Sequence, residues 1–225
     1  MCGRYNVIDD PFSRELMRAL GIDAELPTMV NVAPTETVPI VIETEKGREL
    51  RYMRWWLTPS WSDGPSTKYS MFNAKAETVA RSPAFRGPFR RQRGIVPASS
   101  FIEWQTDRYG KKPWLIRPES GAFAFAAIWD HWQKADVTVE SCALITTAAA
   151  PGIEPIHHRM PVMLGRDDYT DWLDPETEID NPERFFEPRL SGTLLLAPLD
   201  KAINNARNKD LALLQPLDDE ELVKG

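Results

Sequence analysis

Two apolar stretches decide the fold: Phe123 to Trp132 (FAFAAIWDHW) and Ser141 to Thr147 (SCALITT). Short apolar runs that contain aromatic and β-branched side chains are typical of strands buried in a sheet. We therefore predict that these two stretches are core strands and that the other elements are arranged around them.

The segments on either side of this pair predict a sheet of many strands. Further strands are predicted over Thr37–Glu43, Glu49–Leu57, Ile95–Gln105, Pro113–Arg117 and Thr193–Leu199. Lys46-Gly47 is a turn signal between the first two, and residues 107–111 turn a hairpin between the next two. Because strands joined by tight turns run in opposite directions, we expect a mostly antiparallel sheet.

Helices are expected at three places outside these strands. They cover Pro11–Leu20, Arg166–Leu173 and Pro182–Phe186. In the first, Phe12, Leu16 and Leu20 recur at every fourth position, and Gly21 ends the helix. The predicted fold class is α+β: a single domain over residues 1–225 with a twisted, barrel-like sheet, peripheral helices and an acidic, solvated tail at about residues 217–225.

Composition limits the class of protein. The 225 residues are 42% hydrophobic and 27% charged, as in ordinary globular domains, and the net charge of −6 argues against a nucleic-acid coat protein. Cys2 and Cys142 are the only cysteines, which excludes a disulfide framework and favours a reducing compartment. Without a signal-peptide core or a membrane-length apolar run, we expect a soluble, cytoplasmic protein with no membrane partner.

The beginning of the chain, Met1-Cys2-Gly3-Arg4, offers unusual chemistry. Removal of Met1 would leave Cys2 with a free α-amine and a thiol two carbons apart. The amine can form a Schiff base with an aldehyde, and the thiol can then close a five-membered thiazolidine, which no internal cysteine can do. The α-amine titrates near about 7.7–8.0 and the thiol near about 8.5, so both are partly nucleophilic at neutral pH. The plain alternative is that Cys2 merely follows the initiator.

Three polar side chains are candidates for proton transfer or positioning. Glu103 has large apolar neighbours, so burial would raise its pKa toward a value useful in acid–base catalysis, unless it faces outward on a two-faced strand. His157, beside His158, is a proton-transfer candidate; without a Cys-x-x-Cys or His-Glu-x-x-His pattern, we predict no metal site and no cofactor. Asn73 can direct a hydrogen bond at a reacting group or cap a turn.

An arginine-rich stretch suggests a phosphate-binding surface. Between residues 81 and 93 it carries, with no acidic residue, Arg81, Arg86, Arg90, Arg91 and Arg93. Pro83, Gly87 and Pro88 are expected to prevent a regular helix, so that several guanidinium groups converge on phosphate oxygens. A solvated basic loop is the alternative. Trp61, in a polar loop, is either a base-stacking platform or a core residue.

Seven motifs, in one order, resemble those of a known family. They are Met1-Cys2-Gly3-Arg4-Tyr5, Asn31-Val32-Ala33-Pro34, Trp55 through Trp61, Asn73-Ala74-Lys75-Ala76-Glu77-Thr78, Phe101-Ile102-Glu103-Trp104, Thr146-Thr147-Ala148-Ala149 and His157-His158-Arg159-Met160-Pro161. In this order the chain resembles the SRAP family, the SOS response-associated peptidases, from Met1 to residues 204–208. Any one motif is weak, but seven in register are specific.

The resemblance implies an activity and a set of site residues. It implies a DNA-damage protein that binds single-stranded DNA and shields abasic sites through a covalent thiazolidine at Cys2. The implied catalytic residues are Cys2, Asn73, Glu103 and His157. The positions implied for DNA contact are Arg4, Asn31, Trp61, Lys75, Arg81, Arg86, Arg90, Thr147 and Arg207. We expect a monomer near the nucleoid, and the sequence names none of its replication-associated partners.

The chain departs from the family pattern at three places. Lys75 stands where the family usually has arginine, which keeps the charge but loses a bidentate fork. Ser99-Ser100 replaces the common Asp-Gly before the strand that carries Glu103, so the loop that positions this carboxyl is expected to differ. His158 adjoins His157, and register favours His157 as the catalytic histidine.

Two further functions stay open at this stage. One is a self-processing cysteine peptidase that uses Cys2 with Glu103 and His157, with the Met1–Cys2 bond as its substrate. The other is a non-covalent reader that binds a flipped, modified base beside Trp61. An imine at C1′ of an abasic sugar also permits β-elimination, so a strand-cleaving lyase side reaction is expected with the first function.

Overall fold

The fold consists of short strands and few helices in a computed structural model that describes residues 2–179, 182–190 and 192–224. Met1 and Gly225, the last residue of the predicted tail, lie outside the described residues. The strands are β1 (Tyr5–Val7), β2 (Met29–Val32), β3 (Thr37–Thr44), β4 (Gly47–Trp55), β5 (Asn73–Lys75), β6 (Arg93–Ala98), β7 (Ser100–Asp107), β8 (Gly110–Pro118), β9 (Phe123–Lys134), β10 (Val137–Ala148), β11 (Arg159–Pro161), β12 (Leu194–Pro198) and β13 (Glu221–Val223). The helices are α1 (Pro11–Ala19), α2 (Arg86–Arg91), α3 (Tyr169–Leu173) and α4 (Glu183–Phe186).

Two sheets are formed from these strands. One runs β13-β12-β8-β7-β1-β2, and the other runs β11-β10-β4-β3-β6-β9. In the second sheet β9 also pairs with β10, which closes β10, β4, β3, β6 and β9 into a five-stranded barrel. The described strand pairs are antiparallel except for those of β10 with β4 and with β5. The predicted α+β fold with a barrel-like, mostly antiparallel sheet is therefore confirmed.

The two stretches that opened the sequence analysis form the closing pair of the barrel. Strands β9 and β10 have 12 residues each and pair in antiparallel register from Val137 opposite Lys134 to Leu144 opposite Ala127. Both are buried along most of their length, because one face lies inside the barrel and neighbouring strands and helices cover much of the other.

Helix α1 shows how local sequence sets an element. Asp10 caps its N-terminus by accepting a hydrogen bond from the Ser13 N–H at 2.8 Å, and Pro11 occupies the first turn. Leu16 and Leu20 are buried, as the apolar spacing predicts, and Met17 is buried with them. Phe12, the first residue of that spacing, is instead 44% exposed. In the described part of the chain, no helix is long and apolar enough to span a membrane.

The predicted strand Ile95–Gln105 is wrong as one element. It is broken at Ser99 into β6 in the barrel and β7 in the other sheet. The Ser99 N–H donates to the Asn6 carbonyl oxygen at 2.8 Å, and its hydroxyl accepts from the Ile8 N–H at 2.9 Å. Ser99 therefore binds the β1 segment, and the chain crosses from one sheet to the other at this point.

Three smaller predictions also need correction. Residues 86–91 form α2 despite Pro88, because this proline lies in the first turn, where its missing N–H is not needed. The acidic end is not a free tail: β13 pairs with β12, and Glu220 accepts from Arg117 at 2.6 Å. Asn31-Val32, predicted as a loop, lies in β2, a strand too short to show periodicity.

Aromatic packing joins the two sheets beside the N-terminus. The Tyr5 ring on β1 meets the Trp55 ring edge-on at a centroid distance of 5.2 Å and the Phe125 ring at 6.4 Å. Phe101 on β7 packs against Phe123 on β9 at 5.7 Å. These contacts pack β1 and β7 of the six-stranded sheet against the barrel, so the residues just before Tyr5 lie at the junction of the two sheets.

Candidate active site

Cys2 is held in the interior by backbone and side-chain hydrogen bonds. Cys2 is fully buried, and its thiol donates to the Arg4 carbonyl oxygen at 3.7 Å. The Asn73 side-chain amide donates to the Cys2 carbonyl oxygen at 2.8 Å. The Ile102 N–H donates to the Arg4 carbonyl oxygen at 3.0 Å, which aligns the N-terminal segment with β7.

The Ser99-Ser100 departure from the family pattern has a structural role. The Asn6 amide donates to the Ser100 hydroxyl at 2.8 Å, and the Asn6 side-chain oxygen accepts from the Asn31 N–H at 2.7 Å. Together with the bond from Ile8 to Ser99, these contacts fix β1 on both sides. The two serines therefore help to hold the strand that follows Cys2.

Glu103 lies on β7 with only 2% of its surface exposed. The alternative that it faces outward on a two-faced strand is thus wrong. Burial raises the pKa of Glu103 from its ordinary value of 4.5 to about 7. Near neutral pH the carboxyl is therefore distributed between its protonated and ionised forms, which suits a group that both gives and takes protons.

His157 faces Glu103 from the segment before β11. The His157 Nδ1 atom is 3.9 Å from Glu103 Oε1 and accepts a hydrogen bond from the Arg159 N–H at 3.0 Å. The same Nδ1 atom lies 3.1 Å from the Arg159 carbonyl oxygen, so whether it donates or accepts at Arg159 depends on the tautomer of the ring. Burial lowers the pKa of His157, which favours the neutral form. His158 is exposed and stacks on His157 with a centroid distance of 4.5 Å.

The sequence analysis missed an ion pair that joins two parts of the site. The Arg159 guanidinium contacts Glu77 Oε1 at 2.5 Å and donates to the Thr146 carbonyl oxygen at 2.6 Å. Glu77 follows β5, which carries Asn73, whereas Arg159 begins β11 next to His157. Both residues lie within motifs quoted above, and their opposite charges were the available signal.

The four catalytic candidates are thus brought together from four segments of the chain. Cys2 precedes β1, Asn73 begins β5, Glu103 lies in β7 and His157 precedes β11. Burial raises the pKa of the Cys2 thiol, and the charge of Glu103 adds to this effect. The thiol is therefore held in its neutral form. In the described residues no group of three or more histidine, cysteine and acidic side chains is arranged to hold a metal ion.

Six of the predicted DNA-contact side chains are exposed, and a seventh is partly so. Those exposed are Trp61, Lys75, Arg81, Arg86, Arg90 and Arg207. Arg4 is half-buried, and its guanidinium lies 5.7 Å from the centroid of the Trp104 ring. Trp61, with 67% of its surface exposed, is not the core residue that the alternative interpretation required. A stacking platform needs such an uncovered ring face.

The side chains of Asn31 and Thr147 are buried and bond to neighbouring segments, and their contact with DNA stays a prediction. The Asn31 amide donates at 3.0 Å to the carbonyl oxygens of residues 203, 205 and 208, and so holds the segment that carries Arg207. The Thr147 hydroxyl donates to the Phe186 carbonyl oxygen at 2.7 Å. Both side chains position neighbouring segments.

The arginine-rich stretch does not present all its guanidinium groups on one surface. Arg93 is only 2% exposed and donates to the backbone carbonyl oxygens of Trp172 at 2.7 Å and Phe89 at 3.0 Å. Arg91 pairs with Glu176 at 3.2 Å. Arg93 therefore stabilises the packing of α2 and α3, because its five N–H groups satisfy backbone carbonyls at the helix ends.

The chain thus joins a barrel to a second sheet and places near their junction a buried cysteine, an amide bonded to its backbone and a buried carboxyl beside a histidine. The model of the family described as SOS response associated peptidase (SRAP) matches residues 1–206. The chain belongs to the SRAP family, which confirms the resemblance found in the motifs.

Relatives support this assignment, and a solved structure has the same fold. Abasic site processing protein YoaM of Bacillus subtilis (strain 168) is 33% identical over 221 residues, covering 95% of this chain and 97% of its own. Abasic site processing protein YedK of Escherichia coli (strain K12) is 28% identical, covering 96% and 100%. A crystal structure of a protein from Bacteroides thetaiotaomicron superposes with a TM-score of 0.81 at 21% identity, over 94% and 98% of the two chains, and shares the fold.

Proposed function

We propose that this protein processes abasic sites in single-stranded DNA by forming a covalent thiazolidine through the amine and thiol of Cys2. The observation that carries the proposal is the placement of Cys2 beside Asn73 and near the Glu103–His157 pair. Membership of the SRAP family supports it, since relatives such as YoaM and YedK are named abasic site processing proteins.

The first requirement is an open aldehyde and a free amine. Removal of Met1 converts the Cys2 nitrogen from an amide to an amine. An abasic deoxyribose is mostly a closed hemiacetal, and its opening needs a proton on the ring oxygen and a base for the anomeric hydroxyl. Glu103, with a pKa of about 7, and the neutral His157 are the groups assigned to these transfers.

The condensation then proceeds in two bond-forming steps. The Cys2 amine attacks C1′ to give a carbinolamine, and water leaves with a proton from Glu103 or His157, which forms the imine. The thiol sulfur adds to the imine carbon, and its proton passes to the former imine nitrogen. The net reaction consumes the aldehyde, amine and thiol and releases one water. Holding the strand at the site makes the condensation local, worth at best about 7–11 kcal/mol of the barrier.

The imine explains the expected side reaction. Before the thiol closes the ring, an imine at C1′ activates the neighbouring carbon for loss of its proton, and the 3′ phosphate leaves by β-elimination. Strand cleavage is therefore a minor activity that increases when the thiol is missing. The exposed arginines and Trp61 supply the strand-binding surface, and we place the protein with DNA in the cytoplasm.

The thiol environment favours crosslinking over the peptidase alternative. Nucleophilic cysteines of peptidases have a depressed thiol pKa, because the thiolate is the attacking species. Burial raises the pKa of Cys2 instead. In the thiazolidine reaction the amine makes the first attack, and the thiol adds only within an already formed intermediate, where proximity offsets its low acidity.

A denaturing gel tests the proposal. Wild-type protein is incubated with a single strand that contains one abasic site and with the same strand intact. A band that resists denaturation only with the abasic strand is the expected result. A variant with alanine inserted between Met1 and Cys2 is the matched control and should give no durable band, because the aminothiol is lost or displaced. Equal, reversible binding to both strands would favour the non-covalent reader, and cleavage of unrelated peptides the peptidase.

A further inference from the structure

A groove lies on the outer face of the six-stranded sheet, between the segment that follows β1 and the C-terminal segment, residues 211–220. Its main hollow has a volume of about 660 Å³. A second hollow of about 270 Å³ adjoins the first, because Phe12 and Gly121 line both. The two hollows together form an elongated groove, which suits a stretch of polypeptide better than a small molecule.

The floor of the groove belongs to the sheet face opposite to the one that carries Glu103. Leu115 on β8 lines the main hollow and packs in a small core with Ile102, the residue before Glu103. Successive side chains of a strand point to opposite faces of the sheet, so Ile102 and Glu103 face opposite ways. A segment bound in the groove therefore does not compete with a ligand at the Cys2 site.

Apolar side chains are uncovered at this groove. Leu211 in the C-terminal segment is 50% exposed, and Phe12 on α1 is 44% exposed, and both line the main hollow. The other exposed leucines of the described residues, Leu217 and Leu222, lie in the same stretch of chain, whereas every leucine before residue 211 is at least partly buried. Uncovered apolar side chains gathered on one surface are typical of protein–protein contact sites.

The rim of the groove is acidic. Asp218 and Asp219 are exposed and make no ion pair in the part of the chain that the structure describes. Among the described residues, Arg117 is the one cation that lines the main hollow, and Glu220 neutralises it by accepting two hydrogen bonds at 2.9 and 2.6 Å. The remaining negative charge attracts lysine and arginine and repels the phosphates of a DNA strand.

The C-terminal wall of the groove is anchored to the rest of the protein. The Leu217 N–H donates to the Pro198 carbonyl oxygen at 2.9 Å, and β13 pairs with β12. Before this point, Asp210 caps the turn over residues 211–214 by accepting from the Ala212 N–H at 2.9 Å. The groove is therefore formed before a partner arrives, which reduces the entropy lost on binding.

We propose that this groove docks a segment of a partner protein that carries apolar side chains next to lysine or arginine. The apolar side chains insert between Phe12 and Leu211, and the cations pair with Asp218 and Asp219. An apolar centre with a charged rim is the usual arrangement of a protein–protein interface. Because the groove and Glu103 lie on opposite faces of the sheet, the partner and a DNA strand can be bound at the same time. The inference goes beyond the proposed function and does not depend on it.

Fluorescence anisotropy with short labelled peptides tests the groove. The probe is a peptide that alternates leucine and lysine, and the wild-type protein should bind it. A peptide that alternates serine and lysine and a peptide that alternates leucine and glutamate should each bind at least about tenfold more weakly, because the first lacks apolar side chains and the second carries the wrong charge.

The apolar contact is tested at Leu211. Leu211→Ala should weaken binding of the leucine–lysine peptide about tenfold, because the peptide then buries less apolar surface. Leu222→Ala is the matched control and should bind as wild type does. Leu222 is 59% exposed and lies in the same stretch of chain, but it does not line the groove.

The acidic rim is tested by neutral substitutions. Asp218→Asn with Asp219→Asn should weaken binding of the same peptide about tenfold at low salt, and the difference from wild type should shrink at high salt, where charges are screened. Glu45→Gln with Asp136→Asn is the matched control, because both residues are exposed acids that do not line the groove. This control should bind the peptide as wild type does.

Three results would overturn the proposal. The first is equal affinity of the leucine–lysine peptide for wild type and for both groove variants. The second is equally tight binding of the serine–lysine peptide, since the general negative charge of the protein would then account for the interaction. The third is a dimer, detected by sedimentation equilibrium, that Leu211→Ala dissociates, because the groove would then belong to a second copy of this chain. All these measurements use the protein without DNA, so their outcome is independent of the crosslinking gel.

Discussion

The Asn73 side chain donates a 2.8 Å hydrogen bond to the backbone carbonyl oxygen of Cys2. The two residues are 71 positions apart in the sequence, and the bond joins the N-terminal segment to β5 at the edge of the barrel. The bond fixes the backbone of Cys2, the residue that supplies both nucleophiles in the proposed reaction. We therefore interpret the proposed role of Asn73 as the positioning of Cys2, which does not require the amide to take part in proton transfer.

Replacement of Asn73 by alanine should therefore slow crosslinking while leaving the nucleophiles intact. Loss of one partner from a buried hydrogen bond costs about 1–3 kcal/mol, so we expect a rate reduction of about 5- to 150-fold. The rate is measured from the gel band over time at saturating DNA. If Asn73→Ala crosslinks at the wild-type rate with an unchanged unfolding midpoint, the hydrogen bond has no role in the reaction.

Cys2→Ala separates the two nucleophiles. After removal of Met1, this variant keeps the α-amine but has no thiol, so it should form an imine with abasic DNA that borohydride traps. Without reductant it should give no durable band, and strand nicking should persist or rise because the imine partitions to β-elimination. Cys2→Ser should behave similarly, since an oxazolidine is less stable than a thiazolidine.

Two measurements decide the outcome for this variant. Durable crosslinking by Cys2→Ala without reductant would refute the thiazolidine. The intact mass of the same protein reports on the peptidase alternative, because autocatalytic removal of Met1 by the thiol predicts that Met1 stays attached.

Glu103→Gln should slow crosslinking more than it weakens DNA binding. Glutamine preserves the shape and most hydrogen bonds but cannot transfer a proton, and general acid–base catalysis contributes about 100- to 10,000-fold. Crosslinking rate and strand affinity are measured on the same preparation. Equal losses in crosslinking rate and in strand affinity would show that Glu103 acts in DNA binding and not in proton transfer.

The same variant carries a prediction about stability. In the folded protein the pKa of Glu103 is raised to about 7 from an ordinary value of 4.5. The contribution of this carboxyl to the free energy of unfolding is therefore fully present below pH 4.5 and is lost as pH rises through 7. The loss amounts to at most about 3 kcal/mol. Urea unfolding at pH 5 and pH 8 should show that Glu103→Gln gains stability relative to wild type as pH rises. If the unfolding free energies of the two proteins changed with pH in parallel, the pKa of Glu103 would not be raised in the folded protein.

The adjacent histidines should differ in importance. His157→Ala should slow formation or reversal of the crosslink, because His157 lies 3.9 Å from Glu103, whereas His158→Ala should be much milder, because His158 is exposed. Time courses of both variants under one set of conditions provide the comparison. Greater damage from His158→Ala would reverse the assignment.

The half-buried Arg4 and the exposed Arg86 and Arg90 should act through phosphate contacts. Arg4→Ala, and the double variant Arg86→Ala with Arg90→Ala, should weaken single-strand binding and lower the slope of log affinity against log salt by about 0.7 for each lost contact. Arg14→Ala serves as a control, because the guanidinium of Arg14 is already paired with Asp9 at 2.8 Å. A slope that does not change would make these arginines part of a solvated basic surface.

Much of the architecture was accessible from the sequence because it depends on local patterns. The apolar runs of β9 and β10, the capped helix α1 and the turn between β3 and β4 are set by residues close together in the chain. Strands of three residues, such as β5 and β11, were not predicted, because three positions are too few to show an alternation of apolar and polar side chains. The seven ordered motifs pointed to the family, which the family model confirms. The aminothiol chemistry of Cys2 was also inferred from the sequence, because it is a covalent property of an N-terminal cysteine, and it stays a prediction.

Only the tertiary structure decided which side chains meet and how each is solvated. The pairing of His157 with Glu103 and the bond from Asn73 to Cys2 join segments that are distant in the chain. Whether an arginine is exposed like Arg90 or a buried support like Arg93 depends on the helix packed over it. The pKa of Glu103 follows from burial between two sheets, a property that no single segment contains.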